Sequence, residues 1–228
     1  MYLLGHIAIG YLVAWTIARW RREKLVLWLA FTAGIVPDYD ILFRGLGLVH
    51  HTYTHSLLLW APVVIALVWW RRKTLPYVAA ILSHLLIADF LVGSVPLLLP
   101  LSDVSFGLRL GMPSAADALL ESSSLFLMLL VMWRSSDLRR ALSGEKVNFL
   151  MVVPLVSMTS LTWLAAATPE LGGLVTYGFS RLTLEPISMG QILLGFLFIV
   201  SIAVVCVKES GLMRWRHQKA TPSSRAHV

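Results

Sequence analysis

The sequence predicts an all-α, polytopic membrane protein, and three observations carry that prediction. Long apolar runs recur along the chain, several approaching the roughly 20 residues that a helix needs to cross a bilayer. Only 14% of the 228 residues are charged and 57% are hydrophobic, where a soluble domain carries about 25% charge; mean hydropathy is +0.76. The basic residues are confined to alternate connectors between the runs. The single cysteine, Cys206, excludes disulfides and cysteine-rich metal centres.

Seven runs are expected to span. The first, Tyr2 to Ala18, ends at Arg19, Arg21, Arg22 and Lys24. Its basic residues follow it instead of preceding it, which reads as a retained first span and not a cleaved signal. The second, Leu25 to Val36, is short and stops at Pro37. The third opens near His55 and ends in Trp69, Trp70 and Arg71 to Lys73, an aromatic and basic interfacial anchor. The fourth runs from Pro76 to about Val92, and a polar connector with Asp103, Arg109 and Pro113 follows. Ala118 to Trp133, Val147 to Ala167 and Ile187 to Val207 complete the set, and a basic tail closes the chain. The whole of 1–228 reads as one membrane domain: a motif-bearing half (1–101), further transmembrane helices (102–207) and the tail (208–228).

Sixteen of the 19 lysines and arginines follow the first, third, fifth and seventh runs; the alternate connectors hold only Arg44, Arg109 and Arg181. The positive-inside rule then expects the N-terminus outside and the C-terminus in the cytoplasm, at the cell membrane. The net charge of +7 thus reports topology, and no nucleic-acid partner is expected.

On that map, His6, Asp38, Asp40, His50, His51, His55, His84 and Asp89 all fall in the outer half. At 1.5 Å per residue, Asp38 lies about 21 Å above Lys24, His84 about 16 Å above Lys73 and His6 about 20 Å above Arg19. These depths are similar and sit below the outer surface of a core about 30 Å thick. Ionisable groups there cost kilocalories each unless paired or metal-bound. The short second run delivers two aspartates to that depth.

Imidazole and carboxylate donors suit zinc, manganese or iron, and more than four of them invite two metals, an arrangement able to activate water and hold phosphoester oxygens. Each histidine alone reads equally as a packed or hydrogen-bonded residue. Asp38 and Asp40, two apart, point the same way on an extended turn after Pro37, or one of them orients a histidine from behind. His51 and His55 share a face if helical, whereas His50 serves from the loop. Asp117 and Glu121, at the outer start of the fifth run, form a capping turn or border the site.

Gly5-His6, Pro37-Asp38-Tyr39-Asp40, His50 with Thr54-His55-Ser56-Leu57, Ser83-His84-Leu85-Leu86 with Asp89, and the apolar run from Val95 to Pro100 resemble the membrane-bound metal-dependent hydrolase family. Its bacterial type member is a LexA-regulated inner-membrane protein, and the family is distantly similar to zinc-dependent phospholipase C and P1 nuclease. The resemblance covers about residues 1–101. It implies a metal-dependent hydrolase, plausibly of phosphoesters, with His6, Asp38, Asp40, His50, His55, His84 and Asp89 as ligands. Two positions depart from the pattern. His51 stands where arginine is common, and Asp89 is five residues from His84 where four is usual. Five residues of regular helix separate the two side chains by about 140°. Either a bulge realigns them or Asp89 stands behind the ligands.

The expected function is therefore hydrolysis of a phosphoester in a lipid or lipid-linked substrate. One to three divalent ions, zinc before manganese, serve as cofactor, with Asp38 and Asp40 as the catalytic carboxylates and Asp40 handling the water. His51 and Glu121 are secondary site candidates. The competing readings are a divalent-metal transporter, disfavoured because the inner halves of the spans lack ionisable side chains, and a metal-binding membrane protein without turnover.

Overall fold

The computed structural model describes residues 2–111, 114–167 and 181–210. Every regular element among them is helical: α1 (Leu3–Trp20), α2 (Leu27–Ala33), α3 (Leu57–Trp70), α4 (Leu75–Ser83), α5 (Asp89–Val92), α6 (Ala115–Arg134), α7 (Asp137–Ala141), α8 (Val152–Ala167) and α9 (Arg181–Glu209), joined in places by 3-10 and π-helical stretches. The expected basic tail from 211 onward, and Pro113, lie outside the described residues.

Helix α1 is the axis of the bundle. Leu4 through Tyr11 are buried without a break, so this half of the helix is surrounded on all sides, as an interior helix must be. It packs against α2, α4 and α6. Tyr11 stacks on Phe31 of α2 at 5.4 Å, and Phe31 in turn meets Phe198 of α9 at 5.2 Å. The Tyr11 hydroxyl donates to Asp137 at 2.8 Å, so the one polar atom of this aromatic column has a buried acceptor.

Two glycines set how closely α1 and α2 approach. A Cβ on Gly34 would lie 2.3 Å from the His6 carbonyl oxygen, and one on Gly10 would lie 2.7 Å from the Gly34 Cα. The backbones touch there, and only glycine leaves the room. The chain just beyond Gly34, which carries both aspartates, is thereby pressed against the helix that carries His6.

Five helical stretches are long and apolar enough to cross a membrane: Leu3–Trp20, Arg72–Val92, Ala115–Arg134, Lys146–Ala165 and Pro186–Glu209. The other two expected spans are shorter. Helix α2 ends after seven residues, about 10 Å of a core about 30 Å thick, and α3 has 14 residues. The chain between them turns through 3-10 segments instead of continuing as helix. The physical reason lies at Gly34 and Pro37: glycine weakens the helix, and proline, with no N–H, suits a new helical start better than a helix interior. Both α2 and α3 adjoin basic anchors, Arg19 to Lys24 and Arg71 to Lys73. A pair that leaves and returns to one end keeps the alternation of basic connectors unchanged.

Candidate metal centre

Four segments bring the eight predicted side chains together. His6 comes from α1. Asp38 and Asp40 come from the 3-10 stretch Val36–Leu46, and His50, His51 and His55 come from the turn and short 3-10 segment (Tyr53–His55) ahead of α3. His84 and Asp89 flank a π-helical turn, His84–Ala88, that links α4 to α5. The amide of Asp89 donates to the His84 carbonyl, one residue further than in an α-helix.

The geometry corrects two expectations. The aspartates do not sit on an extended turn. At about three residues per 3-10 turn, positions two apart diverge by about 120°, and Asp38 faces His84 while Asp40 faces the opposite side of His55. His51 and His55 do not share a helix face either, because α3 starts only at Leu57. His51 has φ +61°, a left-handed conformation that reverses the chain.

At the centre four atoms face one another: Nε2 of His55, Nε2 of His84, Oδ1 of Asp38 and Oδ2 of Asp89. The His84–Asp89, His84–Asp38 and His55–Asp89 separations are 3.2, 3.3 and 3.3 Å. His55–Asp38 is 3.5 Å and His55–His84 is 3.3 Å. Five of the six edges of a tetrahedron are thus 3.2–3.5 Å, and zinc with ligands at 2.0–2.1 Å has edges of about 3.3–3.4 Å. Charge-assisted hydrogen bonds run shorter, at about 2.7–2.9 Å.

The hydrogen-bond partners fix which nitrogens carry protons. Nδ1 of His84 meets the Gly34 carbonyl at 2.8 Å; a carbonyl only accepts, so this nitrogen donates, and in the neutral ring Nε2 presents its lone pair. The Thr54 hydroxyl gives its one proton to Asp40, so at 3.0 Å from Nδ1 of His55 it accepts, and again Nε2 is left bare. Two nitrogen lone pairs and two carboxylate oxygens therefore converge in a buried space. All four residues are at most 4% exposed, and Asp89 Oδ2 makes no hydrogen bond. A cation must balance this cluster, a proton on an imidazole or a metal ion, and the four-atom geometry fits a metal ion.

The remaining donors flank this cage. His6 stacks on His84 at 3.9 Å, with Nε2 3.3 Å from Asp89 Oδ1 and Nδ1 buried without a partner. His50 and His51 lie on the other flank, their rings 5.0 and 4.5 Å from that of His55. The donors fall into three overlapping sets: His6, His84 and Asp89; Asp38, His55 and His84; and His50, His51 and His55. Seven donors exceed what one tetrahedral ion uses. The His51 side chain is 42% exposed and marks the mouth, where the resemblance expects arginine.

Asp40 stands behind the four-atom cage. It accepts from Nδ1 of His50 at 2.8 Å and from Thr54, and lies 3.5 Å from Nδ1 of His55. Burial raises its pKa, but hydrogen bonds from His50 and His55 outweigh this and hold the carboxyl well below the usual range. Oriented histidines of this kind are the norm behind metal sites. Glu121 is not among the donors. It accepts the backbone N–H of Tyr2 and, at 3.0 Å, that of Gly5, so it caps the first turn of α1 and steadies the helix that carries His6. Sequence reasoning missed this long-range cap because caps are sought on a helix's own flank. It also missed Thr54, whose single hydroxyl proton decides the tautomer of His55.

An irregular strap secures the helical turn that follows Asp89. Leu108, Leu110 and Gly111 donate backbone N–H groups to Phe90, Leu91 and Val92, satisfying carbonyls that the end of α5 leaves free.

Comparison with known proteins adds one match. A model of the YdjM inner membrane protein family covers residues 1–170, a stretch that holds all eight predicted side chains and Glu121. No curated protein and no solved structure matches the chain.

Proposed function

The chain belongs to the YdjM inner membrane protein family, and for this multi-pass membrane protein we propose a metal-dependent hydrolase that cleaves a phosphoester in a lipid or lipid-linked substrate. One observation carries the reading: four lone-pair-bearing atoms of Asp38, His55, His84 and Asp89 held 3.2–3.5 Å apart. His55, His84, Asp38 and Asp89 would hold the first ion, and His6 and His51 extend the donor set on its flanks. A divalent ion, zinc before manganese, supplies Lewis acidity toward water and phosphoryl oxygen.

The chain's own residues divide the remaining work. Asp40 fixes His50 by accepting its Nδ1–H, which leaves Nε2 of His50 with a lone pair. That nitrogen is 3.9 Å from Asp38 Oδ1, beside the cage, and is placed to take a proton from water and return it to the leaving group. The expected role of Asp40 thus passes through His50. His51 stands at the mouth, where a phosphate group enters. The apolar surroundings, with Leu46, Val49 and Leu101 exposed nearby in sequence, favour a substrate with an acyl or prenyl portion over a free nucleotide.

The test is metal content and turnover measured together. Purified protein is expected to hold one or more zinc or manganese ions per chain, lost in His55→Ala. It is also expected to release phosphate or headgroup from lipids, with that release abolished in Asp38→Ala. A metal-free wild-type protein purified without chelator would sink the metal reading; bound metal with no hydrolysis across phospholipid and lipid-linked phosphate substrates would sink the hydrolase reading alone.

A further inference from the structure

We propose a second ligand site, for a phosphate-bearing anion, at the end of the bundle opposite the His/Asp cage. A cavity of about 600 Å³ opens there between α1 and α6. Arg19, Lys24, Arg134 and Arg140 line it together with Glu23 and Asp137, and its inner wall is apolar, with Trp15 and Leu130. His6 and Arg19 sit at opposite ends of α1, so this site shares no residue with the metal centre and does not depend on it.

The ion pairs decide which cations are available. Asp137 is engaged by Arg140 at 2.7 Å and by the Tyr11 hydroxyl, and Arg140 also donates to the Leu25 carbonyl. Glu23 pairs with Arg21 at 2.9 Å, which does not line the cavity. Both anions in the wall are therefore committed, whereas among the described residues the exposed side chains of Arg19, Lys24 and Arg134 have no hydrogen-bond or ion-pair partner. Arg19 and Arg134 each stand in the last turn of their own helix, where a cation complements the helix dipole. That accounts for each cation singly. It does not account for three cations from three segments gathered around one cavity, whose mutual repulsion solvent only screens and a bound anion removes.

A phosphate group matches this charge, and guanidinium groups are its usual partners. Basic pockets between transmembrane helices bind anionic headgroups in this manner. The apolar inner wall gives a lipid's glycerol and acyl chains a surface, whereas a soluble phosphate would use only the charged rim. The shared chemistry is the phosphate; the experiment separates its two sources.

The experiment is native mass spectrometry of the intact protein released from detergent, counting retained lipids. The lipids are phosphatidylglycerol and phosphatidylcholine, each with and without inorganic phosphate as competitor. Wild type is expected to retain phosphatidylglycerol over phosphatidylcholine. Replacing Arg19, Lys24 and Arg134 by glutamine is expected to weaken that retention on the order of a hundredfold, at about fivefold per cation removed. A charge-matched variant, Arg22→Gln with Lys73→Gln and Arg139→Gln, removes three basic residues that do not line the cavity and is expected to retain the lipid. Displacement by inorganic phosphate, lost in the cavity variant, would assign the site to a soluble anion. Equal loss in both variants, or no loss in the cavity variant, would overturn the proposal. The unfolding temperature in detergent serves as the folding control and is expected to match wild type in both variants.

Discussion

Nε2 of His84 lies 3.2 Å from Oδ2 of Asp89, although the five residues between their positions would turn a regular helix about 140° past alignment. The π-helical turn His84–Ala88 absorbs one residue and restores the shared face. A π turn is a one-residue insertion carried inside an α-helix, and such insertions cluster at functional sites. The five-residue spacing, the point where this sequence departs from the family pattern it resembles, is therefore reconciled by local backbone geometry, and Asp89 joins the cage directly.

Deleting one residue from this turn gives a sharp prediction. Removal of Ile87, which is 39% exposed, is expected to convert the segment to regular helix with a four-residue spacing and to leave metal content unchanged. Inserting an alanine after Ala88 is expected to swing Asp89 away and lower the stoichiometry. Elemental analysis of both proteins checks this, and retained metal in the insertion variant would show that Asp89 is dispensable.

The two aspartates are expected to differ. Asp38→Asn removes a cage atom and should abolish binding of the central ion. Asp40→Asn leaves all four cage atoms in place and loosens His50 and His55, so metal affinity should fall about 10- to 100-fold without loss of stoichiometry at saturation. Competition with a calibrated chelator separates the two outcomes. Identical behaviour would mean that Asp40 contacts the metal itself.

Gly34→Ala is expected to destabilise the fold by about 1–3 kcal/mol, the usual range for overpacking, because the added Cβ would press on the backbone carbonyl of His6. Neither backbone has a flexible end that can yield. Gly34 also offers the acceptor that fixes the tautomer of His84, so metal retention should fall together with thermal stability in detergent. A stable, fully loaded Gly34→Ala protein would show that α1 and α2 separate without cost.

Glu121→Ala frees the backbone N–H groups of Tyr2 and Gly5. Gly5 keeps its bond to the Tyr2 carbonyl, so the Tyr2 amide is the donor left without a partner; one unpaired donor costs about 1–3 kcal/mol, and a lower unfolding temperature is expected. The metal stoichiometry should be unchanged, since the carboxylate serves α1 and not the cage. Loss of metal in a protein that unfolds at the wild-type temperature would return Glu121 to the ligand set.

Sequence by itself determined the solvent in which this protein folds and the residue types of its polar centre. Apolar runs with so little charge settle a multi-pass helical membrane protein, because hydropathy is summed over each segment and needs no knowledge of its neighbours. The convergence of His6, Asp38, His55, His84 and Asp89 was legible as well, since rise per residue from the basic anchors gives His6, Asp38 and His84 similar depths and the alternation of connectors places His55 and Asp89 in the same outer half. Tertiary structure decided what each donor does. Asp38 and Asp40 look equivalent in sequence, yet a 3-10 turn sends one into the cage and the other behind His50. Leu25 to Val36 reads as a short span, yet it yields the seven-residue helix α2, with Gly34 pressed against α1 just beyond its end. Glu121 reads as part of its own helix, yet it closes another. Local composition fixes how far along the membrane normal a side chain lies; only the packing of α1 against α2, α4 and α6 fixes the direction it faces and the atoms it meets.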